Sequence, residues 1–212
     1  MDEVASRIRG LIFGGRLRPG DRIVETDLAE MFGVSRPLLR EAIRTLQAER
    51  LCVVTPHRGA HVPVLTWEDA IGIYHVRELL EGEACALCAA AITEEGIGGI
   101  EGALLRFSDA VKSEDAAGRI AATEQFYARI LAGCGNPVIE EVLQGLIARI
   151  SFLRARSMGC PGRSYHSYVE MKDICDAIRR GNPELARAAA IRHVRNAREA
   201  ARAAFDVADS PR

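Results

Sequence analysis

Arg36, Arg40 and Arg44 stand four residues apart in the stretch SRPLLREAIRTLQAERL, residues 35–51. On a helix that spacing puts three guanidinium groups along one face, where like charges repel by about 0.2–0.5 kcal/mol per pair. Of the residues nearby in sequence, only Glu41 is placed to offset one of them, Arg44. A row of cations held at that cost suits a duplex: arginines bond phosphates, and one near a helix start can bond guanine O6 and N7 in the major groove. The plainer alternative is a solvated face of an arginine-rich helix. Elsewhere the chemistry is sparse. Cys85 and Cys88 form a CxxC, but inside a helical pattern and with no second pair to complete a zinc site. Small core-filling thiols therefore compete with a metal or redox role. Tyr127, His193 and a cysteine carry groups for acid–base or thiol chemistry, yet no nucleophile–base pair at a known spacing accompanies them.

The elements around the arginines decide between the readings. The pattern predicts a short helix over 4–14, ended by Gly14-Gly15, then a turn at Leu17-Arg18-Pro19-Gly20-Asp21. A second helix runs from Glu25 to Phe32, followed by Gly33, which can take the left-handed conformation of a tight helix–helix turn. Ser35 is a fitting N-cap for the arginine helix, with Pro37 in its first turn, where no donor is lost. Leu39, Ile43 and Leu46 form that helix's apolar stripe. After Leu51 the period changes: residues 52–55 and 60–64 read as two short strands joined by Pro56-His57-Arg58-Gly59. Helix, helix, tight turn, helix and hairpin is the order of a winged helix-turn-helix, and this context favours DNA over a merely solvated face.

From Thr66 onward the chain is helical almost throughout. Thr66 with Asp69 resembles a capping box. The joints Gly135-Asn136-Pro137 and Gly181-Asn182-Pro183 each supply a helix-ending glycine, an asparagine cap and a proline for the first turn. Helices are expected near 66–92, 94–112, 116–133, 137–158, 164–180 and 183–205. Short joints between long amphipathic helices imply an antiparallel all-α bundle. The fold expected is therefore mainly α, with a winged helix-turn-helix over 1–64 and a helical bundle over 65–212.

Composition agrees without deciding. Of the chain's residues 48% are apolar and 5% aromatic, which suits tightly packed helices, and the net charge of −1 gives no sign of a nucleic-acid partner. The average hides an asymmetry, with residues 1–64 at +2 and the remainder at −3. The N-terminus lacks a secretory pattern, and the longest run of small apolar residues, 84–92, falls short of the roughly 20 needed to span a membrane. A cytoplasmic protein with six reduced cysteines is expected.

These features together resemble the GntR family of bacterial transcription regulators, in the FadR-like branch whose C-terminal part is the FCD bundle. The resemblance rests on LRPGDRI (17–23), DLAEMFGVSRPLLREAIRTLQAERL (27–51), RGAHV (58–62), YHVRELLE (74–81), the joint at 135–137 and DAIRRGNPELARAAAIRHV (176–194). It implies a homodimer that binds a short palindromic double-stranded operator and responds to a small metabolite held in the bundle. The DNA contacts it implies are Ser35, Arg36, Arg40, Arg44 and the wing residues His57, Arg58 and Gly59. Thr26 stands where many members carry arginine, and Pro37-Leu38 departs from the usual order; both bear on which operator is read.

Many FCD domains hold a divalent metal with one Asp or Asn and three histidines. The matching positions here are Thr123, Tyr127, Met171 and His193, so only the last ligand is kept. A hydroxyl, a phenol and a thioether do not replace carboxylate and imidazole ligands, and no metal or other cofactor is expected. Periodicity alone points Thr123, Tyr127 and Met171 inward, with His193 near an apolar stripe, so gap-filling methionine and hydrogen-bonded core histidine stand as alternatives to ligand contacts. Arg77 falls where an apolar residue belongs. A buried guanidinium needs a partner, either Glu81 one turn on or the carboxylate of a small-molecule effector. Arg149 and Arg154 are further candidates on the helix expected over 137–158. The effector set is thus Arg77, Thr123, Tyr127, Arg149, Met171 and His193. The function expected is a dimeric, non-enzymatic regulator, commonly a repressor in this family, sensing an organic acid. The alternatives are a regulator that has lost sensing and a helical enzyme.

Overall fold

The arginine stretch closes a compact trio of helices in the computed structural model, which describes residues 2–56 and 58–208. Helix α1 spans Asp2–Phe13, α2 Glu25–Phe32 and α3 Arg36–Ala48. Gly33 ends α2 at φ 66°, a left-handed conformation that turns the chain within three residues. The Ser35 side chain then accepts from the Leu38 amide, and Pro37 occupies the first turn. Leu39, Ala42, Ile43 and Leu46 are buried, one residue more than the predicted stripe. They pack with Ile8 and Ile12 of α1 and Leu28 of α2.

The hairpin follows as β1 (Val53–Thr55) and β2 (Gly59–His61), with Val53 opposite His61 and Thr55 opposite Gly59. The second strand is shorter than the predicted 60–64 because Val62 leaves the ladder. Its amide donates to the Asp21 carbonyl, and its own carbonyl accepts from Gly20. The Arg18–Asp21 turn is thereby stitched to the hairpin.

The remaining helices are α4 Trp67–Ala91, α5 Glu94–Lys112, α6 Ala116–Cys134, α7 Pro137–Gln144, α8 Ile147–Met158, α9 Arg163–Arg179 and α10 Pro183–Ala208. The Thr66–Asp69 capping box is present in both directions. Helix α10 lies antiparallel along α4: the Tyr74 hydroxyl donates to the Ala197 carbonyl, Glu78 pairs with Arg195 and Arg198, and Glu83 pairs with Arg187. Among the described residues no helix is long and apolar enough to cross a membrane.

Asn136 Oδ1 accepts from the amides of Val138 (3.1 Å) and Ile139 (3.2 Å), satisfying two donors at the start of α7. Asn182 does the same for Leu185. Replacing Asn136 by alanine should lower the unfolding free energy by about 1 kcal/mol, read from the midpoint of a urea transition.

The helix expected over 137–158 is two helices. Gly145 and Leu146 interrupt it, with Leu146 at φ −105°, ψ −10°. The break gives the two halves separate tasks. Ile139 and Leu143 of α7 bury in the bundle, as do Ile150 and Leu153 of α8. Ala148 and Phe152 of the same α8 join the core formed by α1–α3. Phe13 and Leu65 pack against both cores, so the two modules meet through an apolar seam with α8 at its centre.

The cysteines belong to packing. Cys85 and Cys88 are buried, with Cys88 so close to α6 that a Cβ on Gly133 would lie 2.8 Å from its sulfur. Burial pushes the Cys85 thiol well above its ordinary range and that of Cys88 up to about 11, the reverse of what a reactive thiolate needs.

Candidate DNA-contacting face and effector cavity

The apolar stripe of α3 fixes which way its other face points. Ser35, Arg36, Arg40 and Arg44 are all exposed. Arg44 is held by Glu41 at 2.5 Å, as its spacing predicts. Arg40 is also paired, with Glu25 of α2 at 2.9 Å, a partner fifteen residues away that local spacing does not reveal. Among the described residues Arg36 makes no ion pair. Exposed pairs of this kind contribute about 0–1 kcal/mol, so both arginines can exchange a carboxylate for another anion at little cost.

The wing presents Arg58, exposed, and Gly59 at φ 75°. A Cβ on Gly59 would touch the guanidinium of Arg22, 3.5–4.0 Å away. Arg22 is an addition to the predicted wing; it was legible only as part of the RPGDRI stretch. Its backbone bridges to His61, which sets it on the hairpin edge. Predicted wing residue His57 lies outside the described residues. Thr26 spends its hydroxyl on Asp27, its neighbour.

The second constellation lies inside the bundle. Arg77 is fully buried and grips Glu81 in two bonds, Nε to Oε1 at 2.8 Å and Nη2 to Oε2 at 3.3 Å. Arg154 of α8 reaches the same carboxylate at 3.5 Å and sets its guanidinium 4.6 Å above the ring of Tyr127. Tyr127 in turn stacks on His193, ring centres 6.4 Å apart. Burial favours a neutral Glu81, but Arg77 and Arg154 outweigh it and hold the carboxyl below its ordinary range. Burial works against the charge on Arg77 too, and Glu81 more than restores it. Arg154 is less well compensated, and its burial leaves its pKa lowered.

Of the two partners open to Arg77 from the sequence, Glu81 is present. It does not exhaust the donors. Arg77 Nη1, Arg154 Nε and Nη1 and the Tyr127 hydroxyl are buried without a hydrogen-bond partner among the described residues. Burial also keeps the Tyr127 phenol protonated, with a pKa far above its usual value.

His193 has a different anchor. Its Nδ1 lies 2.7 Å from Glu170, whose carboxylate also accepts from Arg163 (2.7 Å) and Asn196 (2.8 Å). Burial depresses the imidazole pKa against the pull of Glu170, so a neutral ring donates its Nδ1–H to the carboxylate. Burial also opposes the charge on Glu170, but the bonds from His193 and Arg163 prevail and bring its pKa from 4.5 to about 2. A folded-state value below the unfolded one stabilises the fold above about pH 4.5 and loses that contribution as pH falls toward 2. About 3 kcal/mol is at stake in that window. Urea titrations from about pH 5 down to about pH 2.5 should show the loss, and Glu170→Gln should lessen it, leaving the part that Glu81, also held below its ordinary range, loses in the same direction.

Thr123 and Met171 are buried as predicted and face a slot shared with Arg77, Arg154 and His193. The Thr123 hydroxyl donates to the Arg119 carbonyl at 2.8 Å. The slot measures about 10 Å³, room for about one water. A divalent metal does not fit these residues. Thr123 is already bonded, Met171 offers a soft sulfur, Tyr127 keeps its proton, and two guanidinium groups stand beside the one imidazole.

A larger cavity of about 160 Å³ adjoins the slot across Arg154, lined also by Glu81, Glu124, Tyr127, Leu131, Leu143, Ile147 and Ile150. The predicted Arg149 is not in it. Arg149 lies with Arg50, Leu51, Pro63 and Phe152 in the seam between the modules. Five residues separate Arg149 from Arg154, about 140° around a helix, so the two cannot share a cavity. Arg154 is the one that faces the bundle interior. A third and larger cavity, about 330 Å³, runs between α1, α6 and α8 and is walled mainly by small or apolar residues such as Gly10, Phe13, Ala117, Ile120 and Met158. It holds none of the predicted effector residues.

The model of the FCD domain matches residues 72–196, and that of the bacterial regulatory proteins of the gntR family matches residues 1–62. The chain is 28% identical over 190 residues to YdhC of Bacillus subtilis, an uncharacterized HTH-type transcriptional regulator, covering 89% of this chain and 84% of the relative. It is 32% identical over 143 residues to the Nta operon transcriptional regulator of Aminobacter aminovorans, covering 65% of each. A probable D-xylose utilization operon transcriptional repressor of Paenarthrobacter nicotinovorans shares 28% over 196 residues, 90% of this chain and 85% of its own. Among solved structures, E. coli McbR/YncC superposes with a TM-score of 0.81 at 19% identity, covering 98% of this chain and 97% of the other, which shows the common fold. The two domain matches in this order, on a winged helix-turn-helix followed by a helical bundle, show that the chain belongs to the GntR family of DNA-binding transcription regulators, in the FadR-like subfamily with a C-terminal FCD domain.

Proposed function

We propose that this regulator is a cytoplasmic homodimeric repressor that holds a palindromic operator through Ser35, Arg36, Arg40, Arg44, Arg58, Gly59 and His57, and releases it when a small organic acid occupies the bundle. The division of labour falls near residues 64 and 65. The observation that carries the reading is the exposed row of guanidinium groups on α3 beside the wing. Major-groove readers place the N-terminal part of such a helix against base edges, and dimers meet half-sites about 34–36 Å apart. A body that changes the separation of two heads therefore acts on both half-sites at once.

Helix α8 supports a route for that change. One face carries Arg154 and Ile150 into the bundle, and another sets Ala148 and Phe152 in the core beneath α3. An anion drawing on Arg154 shifts a helix that both modules share, and an effector moves the equilibrium only by its differential affinity for the two arrangements. The donors left over on Arg77, Arg154 and Tyr127 favour a sensing body over one that has lost its effector.

Selection from random duplexes with the full-length protein, followed by footprinting, should yield a two-fold symmetric site protected over two adjacent major grooves. Light scattering should give a dimer. Enrichment of no sequence, or of one asymmetric half-site bound by a monomer, would contradict the proposal.

A further inference from the structure

We infer that Arg22 is a further DNA contact, a guanidinium clamp on a backbone phosphate of the ridge that borders the groove entered by α3. The inference rests on the proposal that α3 meets the duplex, and it adds a residue and a role that reading does not contain. Three observations carry it.

The first is where the backbone puts Arg22. Residues 20–23 run along β2 as a third, irregular strand. Gly20 donates to the Val62 carbonyl (2.9 Å), Val62 to that of Asp21 (2.9 Å) and Ile23 to that of Ala60 (2.8 Å). Arg22 thereby stands opposite His61, and His61 opposite Val53. Side chains alternate between the two faces of such a ribbon. Ile23, Ala60 and Val62 are buried in the head, so Arg22 belongs to the outer face. Gly59, two residues before His61, lies on that face too.

The second is what Gly59 permits. The Arg22 guanidinium rests over it, with Nη2 3.5 Å and Nε 3.6 Å from the point a Cβ would occupy. The bare backbone of β2 is thus the seat of a planar cation. Arg22 is exposed, and among the described residues it makes no ion pair. A guanidinium already laid against a strand loses less freedom on gripping an anion than one extended into solvent.

The third is the link to the arginine row. Ile23 is bonded to β2, and Glu25, two residues on, holds Arg40 at 2.9 Å. Val24 between them is extended, at φ −85° and ψ 109°. Two residues span at most about 7 Å, so the segment 22–25 ties the outer face of the hairpin to the cations of α3. A helix seated in the major groove is flanked by sugar–phosphate ridges. A cation on the short connection beside that helix, lying across a strand and not at the hairpin turn after Thr55, meets a ridge before it meets a base edge. Phosphate oxygens match the fork of a guanidinium, and contacts of this kind fix the register and orientation of a protein on the duplex.

Anisotropy titrations of the full-length protein on its selected duplex, repeated over a range of salt, test this. Arg22→Ala should weaken binding by at least about tenfold per half-site, the usual loss for a hydrogen bond to a charged group. It should lower the slope of log K against log salt by about 0.9 per half-site. The operator and its single-base variants should suffer alike, because a phosphate contact carries no sequence preference. Arg22→Lys should keep the slope and recover only part of the affinity, since an ammonium lacks the fork. Gly59→Asn, a residue that tolerates left-handed backbone, sets a side chain under the guanidinium and should weaken the parent more than it weakens Arg22→Ala. Arg106→Ala removes the same charge from the exposed face of α5, where Arg106 binds Gln125, and should leave affinity and slope unchanged.

An Arg22→Ala slope equal to the parent's, a loss no greater than that of Arg106→Ala, or a loss confined to particular base pairs would each overturn the inference, the last by making Arg22 a groove reader. If the parent binds its selected duplex and Arg22→Ala binds equally well, the α3 reading stands and only this contact is wrong. If the parent selects no duplex, both fall.

Discussion

Replacing Glu81 by alanine is expected to cost about 3–5 kcal/mol of stability, the usual penalty for leaving a buried charge without its partner. Arg77 is fully buried and Arg154 nearly so, and both lean on this one carboxylate. The neighbours Tyr74 and Tyr127 give their ring faces to these cations but no negative charge. Removal of the whole set should behave differently. Arg77→Met, Glu81→Leu and Arg154→Met combined takes away three desolvated charges at once and should recover most of the loss, because well-packed apolar replacements of buried ion networks are often neutral or better. Urea denaturation of the single and triple variants measures both. A Glu81→Ala protein within about 1 kcal/mol of the parent, the scale of an exposed pair, would mean that the cluster is not the electrostatic unit described here.

The second large effect lies on DNA. Arg40→Ala should weaken binding to the selected operator by about 1–3 kcal/mol per half-site, the range for a well-placed arginine–base contact. In a dimer the loss enters twice. Stability should hardly change, since the Arg40–Glu25 pair is exposed. Glu25→Gln should act in the opposite sense and more weakly, because it frees the guanidinium from its resting partner. Anisotropy titrations at fixed salt separate these outcomes, and an Arg40→Ala protein that binds as the parent does would remove Arg40 from the contact set.

What could be read from the residues alone was whatever is decided within a few positions. Gly33, Ser35 and Pro37 fix the turn into α3 by local chemistry, and the glycine–asparagine–proline joints fix where α7 and α10 begin. The stripe Leu39–Ile43–Leu46 oriented the arginine row. Local rules were blind to Glu25, because α2 brings it to Arg40 only in the folded turn. They also ran helix through Gly145, since one glycine costs a helix only about 1 kcal/mol, which tertiary contacts readily override. The contacts that exact the break are long-range: α7 packs in the bundle while Ala148 and Phe152 are claimed by the head. Arg149 was misplaced for the same reason, as no periodicity announces that a second core waits on that side of α8. Inside the bundle, Arg77 was legible as an inward charge and Glu81 as its partner. Glu170, the hub that orients His193, was legible only as a match to the family pattern. Its role depends on Arg163 and Asn196, which converge on it from opposite sides in sequence.

The central claim is that the α3 guanidinium row, and not some other surface of a chain with net charge −1, is what meets the duplex. The salt dependence of operator binding tests it most directly, comparing the parent with Arg36→Ala, Arg40→Ala and Arg44→Ala combined. Each phosphate that the protein no longer neutralises lowers the slope of log K against log salt by about 0.9. The account predicts a slope reduced in steps of that size and an affinity no better than for random duplex. A triple variant with the parent's slope and affinity would contradict it.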